Sequence, residues 1–242
     1  MPEGDAMEIR VLGELPYQEI LRRDEESLAQ GLPRVQIAVC AERCVTLGVS
    51  QREDVEIALR RHDPELAIYR RTSGGTAVLH HPGDLFWSVV VPRQPQWTGR
   101  DFVHGYSRFG RGWVDWLLQR GHPSRWEKTG AWFSAYCFLS GLGEALVAGS
   151  GVLGGAGQHV TSRALLHHGA VPLTVEPRET EELFGMPEGM ATERLTSLRR
   201  LGLEPTADDL QDIASRLAEG VEHPDEVPRA APGGGQGAET RL

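Results

Sequence analysis

The segment from residue 66 to residue 93 restricts the fold more than any other part of the chain. It reads LAIYRRTSGGTAVLHHPGDLFWSVVVPR, with three short runs of apolar and β-branched residues separated by turns that contain glycine or proline. Runs of this length bounded by such turns predict β-strands. We therefore predict strands over LAIYRR, TAVLHH and LFWSVVVPR, the first two joined by a turn at TSGG, so that the chain is built around a sheet.

More strands are predicted on both sides of this segment. RVQIAVC and RCVTLGVSQ lie close together in the chain and predict a hairpin around a short charged break. Further along, EALVAGSGVLGGAGQHVTSRALLHHGAVPLTV combines glycine turns with short strands. The β-rich part of the protein therefore extends well beyond the central segment.

Helical periodicity appears in four other places. Residues 17–30 and the segment EDVEIALRRH predict two helices, the first ending at Gly31. An aromatic stripe predicts a third helix packed on a sheet, at Phe102, Tyr106, Phe109, Trp113 and Trp116 or Leu117. The fourth begins at the N-cap residue Thr206, and its apolar face consists of Leu210, Ile213, Leu217 and Val221.

Length, charge and cysteine content limit the classes of function. The 242 residues are enough for one large domain, predicted over residues 1–223, and the apolar-poor residues 224–242 predict a disordered tail. A net charge of -9 disfavours binding to nucleic acid or to an anionic membrane surface. There is no apolar stretch of membrane-spanning length and no signal sequence, so we expect a cytoplasmic protein. The cysteines, Cys40, Cys44 and Cys137, are expected to be free thiols.

Several familiar binding motifs are absent or lack their context. GSGVLG at residues 149–154 matches the glycine spacing of a dinucleotide site, but a β-rich sequence follows it where such a site needs a helix. The pairs His80/His81 and His167/His168 each lie within a strand, where neighbouring side chains point to opposite faces. We predict neither a nucleotide-binding loop nor a metal site.

The central turn nevertheless has the composition of an anion site. Arg70 and Arg71 can hold a carboxylate or phosphate, and Ser73, Gly74 and Gly75 let backbone amides approach it. The same residues also suit an ordinary hairpin with solvated arginines and glycines at positive φ. Spacing alone leaves both interpretations open.

A family resemblance bears on this choice. RRTSGGTAVLHHPGDLFWSVVV resembles the R-R-x-[ST]-G-G-x-x-V-x-H-D-x-G-[ND]-L-x-x-S signature of lipoate-protein ligases and the related octanoyltransferases. RRDEESL, CVTLGVSQ and GGAGQHVTSRALLHHGAVPL resemble other family segments in the same order, over roughly residues 10 to 222. The resemblance implies the α/β (α+β) catalytic domain of biotin and lipoate ligases, a mixed, largely antiparallel sheet flanked by helices.

The same resemblance implies a tunnel for an activated acyl chain. Its substrate-binding residues would be Arg70, Arg71, Ser73, Gly74, Gly75, Val78, Gly155, Ala156 and His168, with His80 as a catalytic residue. Two positions depart from the family pattern. The family's catalytic lysine is Val152 here, and the aspartate after the motif histidine is His81.

Cys137 connects the chain to one branch of the family. SAYCFLSG resembles the [AS]-C-F segment of the cysteine-dependent octanoyltransferases, which form a thioester on that cysteine, and it places Cys137 fifteen residues before Val152. Without the resemblance, a cysteine beside Phe138 would be a buried apolar residue. The residues that could replace the missing ammonium are His80, His168, Arg163 and Lys128.

The resemblance thus implies an acyltransferase of protein lipoylation. A Cys137 thioester would carry an octanoyl or lipoyl group to a lysine of a lipoyl-domain or glycine-cleavage H-like protein, with acyl carrier protein as a donor and no cofactor. One alternative is an ATP-dependent lipoate-protein ligase that uses ATP and Mg. The other is a non-catalytic family member that binds an acyl group or a lipoyl domain, since Val152 replaces the family lysine.

Overall fold

The computed structural model describes residues 6–93 and 105–222. Its ten strands are Glu8–Leu15 (β1), Arg34–Cys40 (β2), Cys44–Leu47 (β3), Ala67–Arg70 (β4), Val78–His80 (β5), Leu85–Pro92 (β6), Ser124–Lys128 (β7), Glu144–Ala148 (β8), Gly151–Val160 (β9) and Ala164–Val171 (β10). Its α-helices are Tyr17–Gln30 (α1), Glu53–His62 (α2), Gly105–Phe109 (α3), Arg111–Gln119 (α4), Pro177–Phe184 (α5), Met190–Arg194 (α6) and Ala207–Glu222 (α7). Short 3-10 turns cover Cys137–Leu139 and Arg199–Leu201.

The strands form two sheets. The larger has seven strands in the order β1-β2-β6-β10-β9-β8-β7, and the smaller has three in the order β4-β3-β5. Every pairing in the large sheet is antiparallel except that of β1 with β2, and β3 pairs parallel with β4. This arrangement, with helices on its faces, confirms the mixed, largely antiparallel α/β fold expected from the sequence.

Among the described residues, the two larger hydrophobic cores lie on opposite faces of the large sheet. Along β6, Trp87 packs with Trp113 and Trp116 of α4 on one face, whereas Phe86 packs with Tyr17 of α1 and Leu79 of β5 on the other. Successive strand residues point to opposite faces of the sheet. The sequence of a strand that is covered on both faces is therefore almost continuously apolar. The second core also contains the small sheet and surrounds the candidate site.

Two predicted helix boundaries are confirmed. Gly31 ends α1 in the left-handed conformation, and its N–H donates to the carbonyl oxygen of Ser27. At the start of α7, Thr206 N–H donates to Asp209 Oδ2 at 2.8 Å, and Asp209 N–H donates back to Thr206 Oγ1 at 3.3 Å. This reciprocal pair satisfies backbone donors that a helix start leaves unpaired. Among the described residues, no helix combines the length and apolar character needed to cross a membrane.

The predicted hairpin of RVQIAVC with RCVTLGVSQ is wrong. The first run is β2 in the large sheet, and the second is β3 in the small sheet. The two strands separate because Cys40 N–H donates to Asp84 O in the turn before β6, while β3 pairs with β4 and β5. The three strands predicted in the central segment likewise divide between the sheets, β4 and β5 in the small one and β6 in the large one.

The predicted aromatic helix is divided at Gly110 into α3 and α4. Trp126 of β7 lies directly against this residue, and its indole Nε1–H donates to Gly110 O at 2.9 Å. A Cβ at position 110 would lie 2.4 Å from that indole, so only glycine allows the ring to approach. Phe102, predicted as the first residue of the stripe, lies outside the described residues, as does the predicted tail at 224–242.

His167 of β10 is buried among the rings of Trp87, Tyr106 and Phe109. Within the described part of the chain neither ring nitrogen has a hydrogen-bond partner, and burial lowers the pKa of His167 to about 3. The ordinary pKa of histidine is about 6.5. Below that pH, His167 binds a proton in the unfolded chain but stays neutral in the folded protein, which favours unfolding. The histidine therefore makes stability fall as the pH drops from 6.5 towards 3.

We predict that His167→Leu removes this part of the acid sensitivity. Between pH 7 and pH 5 the wild-type protein should lose about 2 kcal/mol more free energy of unfolding than the variant, at about 1.4 kcal/mol per pH unit below 6.5. Urea denaturation at both pH values measures the difference. Equal losses in the two proteins would show that His167 is not the group responsible.

Candidate active site

A cavity of about 400 Å³, partly open to solvent, lies where the two sheets meet. Its wall comes from α1, β3, β5, β6, the loop after β4, the 3-10 turn at 137–139, β9 and β10. The predicted site residues that line it are Arg71, Ser73, Gly74, Val78, His80, Cys137, Gly155, Ala156 and His168. Tyr17, Thr46, Phe86, Phe138, Gly157, Gly169 and Ala170 complete the lining.

Arg71 fixes the loop that follows β4. Its Nη1 donates to the carbonyl oxygen and to Oγ1 of Thr46 at 3.0 and 2.7 Å. Its Nη2 donates to Thr76 O at 2.9 Å and to Gly74 O at 3.2 Å. The Arg71 side chain thus lies across its own loop and connects the loop to β3 by hydrogen bonds. This places a permanent positive charge in the cavity wall.

Cys137 approaches the same loop from the other side. Its N–H donates to Ala77 O at 2.8 Å, beside the start of β5, and the side chain is partly exposed. Gly75 lies next to both groups, with φ at 98°. The point where a Cβ on Gly75 would stand is 2.9 Å from Cys137 Sγ and 3.2 Å from Arg71 Nη2. Sulfur and guanidinium can therefore both lie this close to the loop position only because it is glycine.

His80 is a buried, neutral imidazole. Its Nε2 lies 3.0 Å from Thr46 Oγ1, the atom that also accepts from Arg71, and its Nδ1 lies 3.8 Å from Asp84 Oδ2. Burial lowers the pKa of His80, the positive charge of Arg71 lowers it further, and Asp84 opposes the shift. A neutral imidazole can accept a proton on one ring nitrogen and donate one from the other, and it adds no positive charge to the cavity wall.

His168 has a hydrogen-bond partner on each ring nitrogen. Its Nδ1 lies 3.0 Å from Asp24 Oδ2 on α1, and its Nε2 lies 2.6 Å from Ser73 Oγ in the loop after β4. The three side chains are almost fully buried, with exposed fractions of 5% for Asp24, 1% for Ser73 and 8% for His168. They form a continuous hydrogen-bonded chain from α1 to the cavity.

Sequence reasoning did not identify Asp24 as a site residue. The signal was available in the helical pattern, because Asp24 falls on the same face as the apolar residues Tyr17, Ile20 and Leu28. A carboxylate on the buried face of a helix needs a polar partner, and here that partner is His168. Thr46, which joins Arg71 to His80, was missed as well.

Several predicted residues lie away from the cavity. Arg70 Nη1 donates to Gly48 O and Gln51 O, outside the lining. Lys128 is exposed at the end of β7, and Arg163 is exposed in the turn between β9 and β10. Of the four candidates for the missing ammonium, therefore, only the two histidines line the cavity.

Val152, which the motif resemblance places at the family lysine, is buried beneath the segment that follows α6. Its carbonyl oxygen accepts from Thr196 N–H at 2.9 Å, and the residue forms an isolated β-bridge with Leu195.

The paired histidines point to opposite faces, as expected for strand neighbours. His81 Nε2 lies 2.8 Å from Glu179 Oε2, whereas His80 faces the cavity, and His167 lies in the core on the opposite face from His168.

Residues 16–219 match the model of the lipoyl protein ligase A/B catalytic domain family. The chain belongs to this family. The match confirms the family resemblance found in the sequence motifs. A curated relative, octanoyltransferase LipM from Exiguobacterium sibiricum, is 27% identical over 163 residues, which cover 63% of this chain and 59% of that protein. The chain spans less than two thirds of the length of the curated relatives it matches.

Solved structures share the fold of this family member. The crystal structure of lipoate-protein ligase A bound with ATP has a TM-score of 0.69 and 17% identity, covering 90% of this chain and 85% of that one. A bipartite lipoate protein ligase from Thermoplasma acidophilum, studied with its E2 lipoyl domain, has a TM-score of 0.67 and 18% identity, covering 91% and 85% of the two chains. At these identities the similarity establishes the fold.

The position of Gly75 gives a test of the site geometry. We predict that Gly75→Ala destabilises the protein by about 1–3 kcal/mol, because alanine is strained at positive φ and its Cβ would contact Cys137 Sγ. Gly74→Ala is the matched control, since nothing lies within 4 Å of its added Cβ. Urea denaturation measures stability, and iodoacetamide labelling followed by peptide mass mapping measures access to Cys137. Equal effects of the two substitutions would contradict the convergence of sulfur and guanidinium on Gly75.

Proposed function

We propose that this protein is an acyltransferase of protein lipoylation. In this proposal Cys137 accepts an octanoyl or lipoyl group as a thioester and passes it to a lysine of a lipoyl-domain protein. The observation that carries it is the placement of the Cys137 thiol in the wall of a largely apolar cavity, where Gly75 lies next to both the sulfur and the guanidinium of Arg71. Family membership and the octanoyltransferase relative agree with this chemistry.

The cavity has the two kinds of surface that an activated acyl chain needs. Val78, Phe86, Phe138 and Ala170 provide apolar wall, and burying methylene groups against them contributes about 0.8 kcal/mol each. The polar groups of Arg71, His80 and Ser73 lie on other parts of the same wall. A chain bound along the apolar side would keep its carboxyl end near Cys137 and shield the ester from water.

Transfer to Cys137 requires the sulfur to attack the donor carbonyl. A new C–S bond forms as the donor thiol leaves, and negative charge develops on the carbonyl oxygen. The fixed charge of Arg71 favours that oxyanion electrostatically, and because its N–H groups already hold the loop in place, the guanidinium needs no reorganisation. In the second half-reaction the amine of the acceptor lysine attacks the thioester and Cys137 leaves.

The proposal also identifies the class of protein that accepts the acyl group and the class of compound that donates it. An E2-type lipoyl domain is the acceptor class, since the Thermoplasma ligase of the same fold was studied with such a domain. An acyl carrier thioester is the proposed donor, and no cofactor is needed for thioester exchange. The ligase alternative needs ATP and a cation for its phosphates, whereas the four hydrogen bonds of Arg71 Nη1 and Nη2 are already made to the protein.

The thioester gives a direct test of the proposed function. Incubated with octanoyl acyl carrier protein, the wild-type protein should gain the mass of one octanoyl group on Cys137, and the adduct should disappear when an E2 lipoyl domain is added. Cys137→Ala should lower transfer at least 100-fold, as removal of a covalent nucleophile does. Cys40→Ala, at a buried thiol outside the cavity lining, is the control and should retain the adduct.

Other results would select one of the alternatives. Lipoate-dependent exchange of pyrophosphate into ATP, with no adduct on Cys137, would indicate a ligase. Saturable binding of octanoate or of the lipoyl domain without any turnover would indicate a non-catalytic family member.

A further inference from the structure

We infer that Asp24, His168 and Ser73 form a proton relay that removes the proton from the attacking lysine amine during transfer out of the Cys137 thioester. This inference rests on the proposed function. It assigns Ser73 as the group that touches the amine, with His168 and Asp24 as positioning residues that act through it.

The hydrogen-bond pattern sets the direction of the relay. The Asp24 carboxylate can only accept, so His168 Nδ1 carries the proton in their 3.0 Å contact. In a neutral imidazole the other nitrogen, Nε2, is then an acceptor, and the Ser73 hydroxyl donates to it at 2.6 Å. Ser73 Oγ therefore keeps lone pairs that can take a proton from a group in the cavity.

The position of the relay suits the second half-reaction. Ser73, His168 and Cys137 all line the same cavity. Strand β9 passes close to the serine, since a Cβ on Gly157 would lie 2.8 Å from Ser73 Oγ. His168 also lines a second cavity, partly open to solvent, whose lining includes Asp24 and Gln36.

The second carboxylate oxygen of Asp24, Oδ1, also accepts a hydrogen bond. Gln36 Nε2 donates to Asp24 Oδ1 at 3.4 Å and lies 3.4 Å from Ser88 Oγ. Gln36 and Ser88 sit opposite each other on β2 and β6, so the large sheet orients the carboxylate. A carboxylate, an imidazole and a hydroxyl in this order form the same arrangement that deprotonates nucleophiles in hydrolases on unrelated folds.

The neutral lysine amine attacks the thioester carbonyl, the C–N bond forms, and the C–S bond to Cys137 breaks. The nitrogen gives one proton to Ser73 Oγ as the serine proton passes to His168 Nε2, and the imidazolium is stabilised by Asp24. That proton then returns through Ser73 to the departing sulfur, which regenerates the thiol and the neutral histidine.

The test separates the two half-reactions. Octanoyl-Cys137 is prepared with octanoyl acyl carrier protein, desalted and mixed with an E2 lipoyl domain in single-turnover experiments. Asp24→Asn should reverse the histidine tautomer, because an amide N–H would donate to Nδ1 and leave Nε2 protonated. We expect transfer to slow on the order of 100-fold at pH 7, while acylation of Cys137 changes less than about 3-fold.

The pH dependence distinguishes a relay from a structural role. The deficit of Asp24→Asn should shrink to less than about 10-fold near pH 10, where much more of the lysine amine is neutral than at pH 7 and hydroxide can accept the proton. Asp24→Asn combined with Ser73→Ala should be no slower than Ser73→Ala alone, since residues that act as a unit are not additive. Ser27→Ala, at a buried hydroxyl on the same helix that bonds Arg23 and Arg34 and lies outside the relay, is the control and should transfer at the wild-type rate.

Each outcome bears on a different claim. If the wild-type protein forms octanoyl-Cys137 and the Asp24→Asn variant transfers it at the wild-type rate, the relay is overturned and the proposed function stands. If acylation and transfer slow equally at every pH, Asp24 is a structural residue and the relay is again overturned. If the wild-type protein forms no thioester, the proposed function fails, and the relay built on it fails with it.

Discussion

The guanidinium of Arg71 holds the candidate active site together. It donates to two oxygens of Thr46 on β3 and to the carbonyl oxygens of Gly74 and Thr76, so one side chain fixes the loop against the small sheet. The loop in turn presents Ser73 to His168. A single arginine therefore determines the shape of the loop and supplies the positive charge that faces the cavity.

Three separate parts of the chain meet around this loop. Helix α1 contributes Asp24, strand β10 contributes His168, and the 3-10 turn at 137–139 contributes Cys137. Two sheets are needed for this meeting, because β5 and the loop after β4 belong to the small sheet while β9 and β10 belong to the large one. The cavity lies at their junction, and its lining combines a largely apolar wall with the polar side chains of Arg71, Ser73 and His80. In the proposed function, these two surfaces correspond to binding and to chemistry.

Local patterns in the sequence predicted local structure well. The stop of α1 at Gly31 and the cap of α7 at Thr206 depend only on neighbouring residues, and both are confirmed. The hairpin expectation failed because strand partners are chosen by long-range contacts, here the bond from Cys40 N–H to Asp84 O. Within the site, the motif identified most residues of the cavity wall, but Asp24 required knowledge of which helix face meets β10.

The motif resemblance places Val152 at the position of the family lysine. Val152 lies beneath Leu195 and Thr196, so its position has become part of the core. Within the described part of the chain the permanent positive charge in the cavity lining is Arg71, with the neutral His80 beside it. The proposed chemistry therefore depends on a guanidinium that acts through its charge and on a hydrogen-bonded chain that carries the proton.

A crystal structure of the protein after reaction with octanoyl acyl carrier protein would test this account most directly. The account predicts continuous density from Cys137 Sγ into the cavity, with the chain against Val78 and Phe86 and the carbonyl on the side of Arg71. An octanoyl group bound without a covalent link to Cys137, or attached elsewhere, would contradict it.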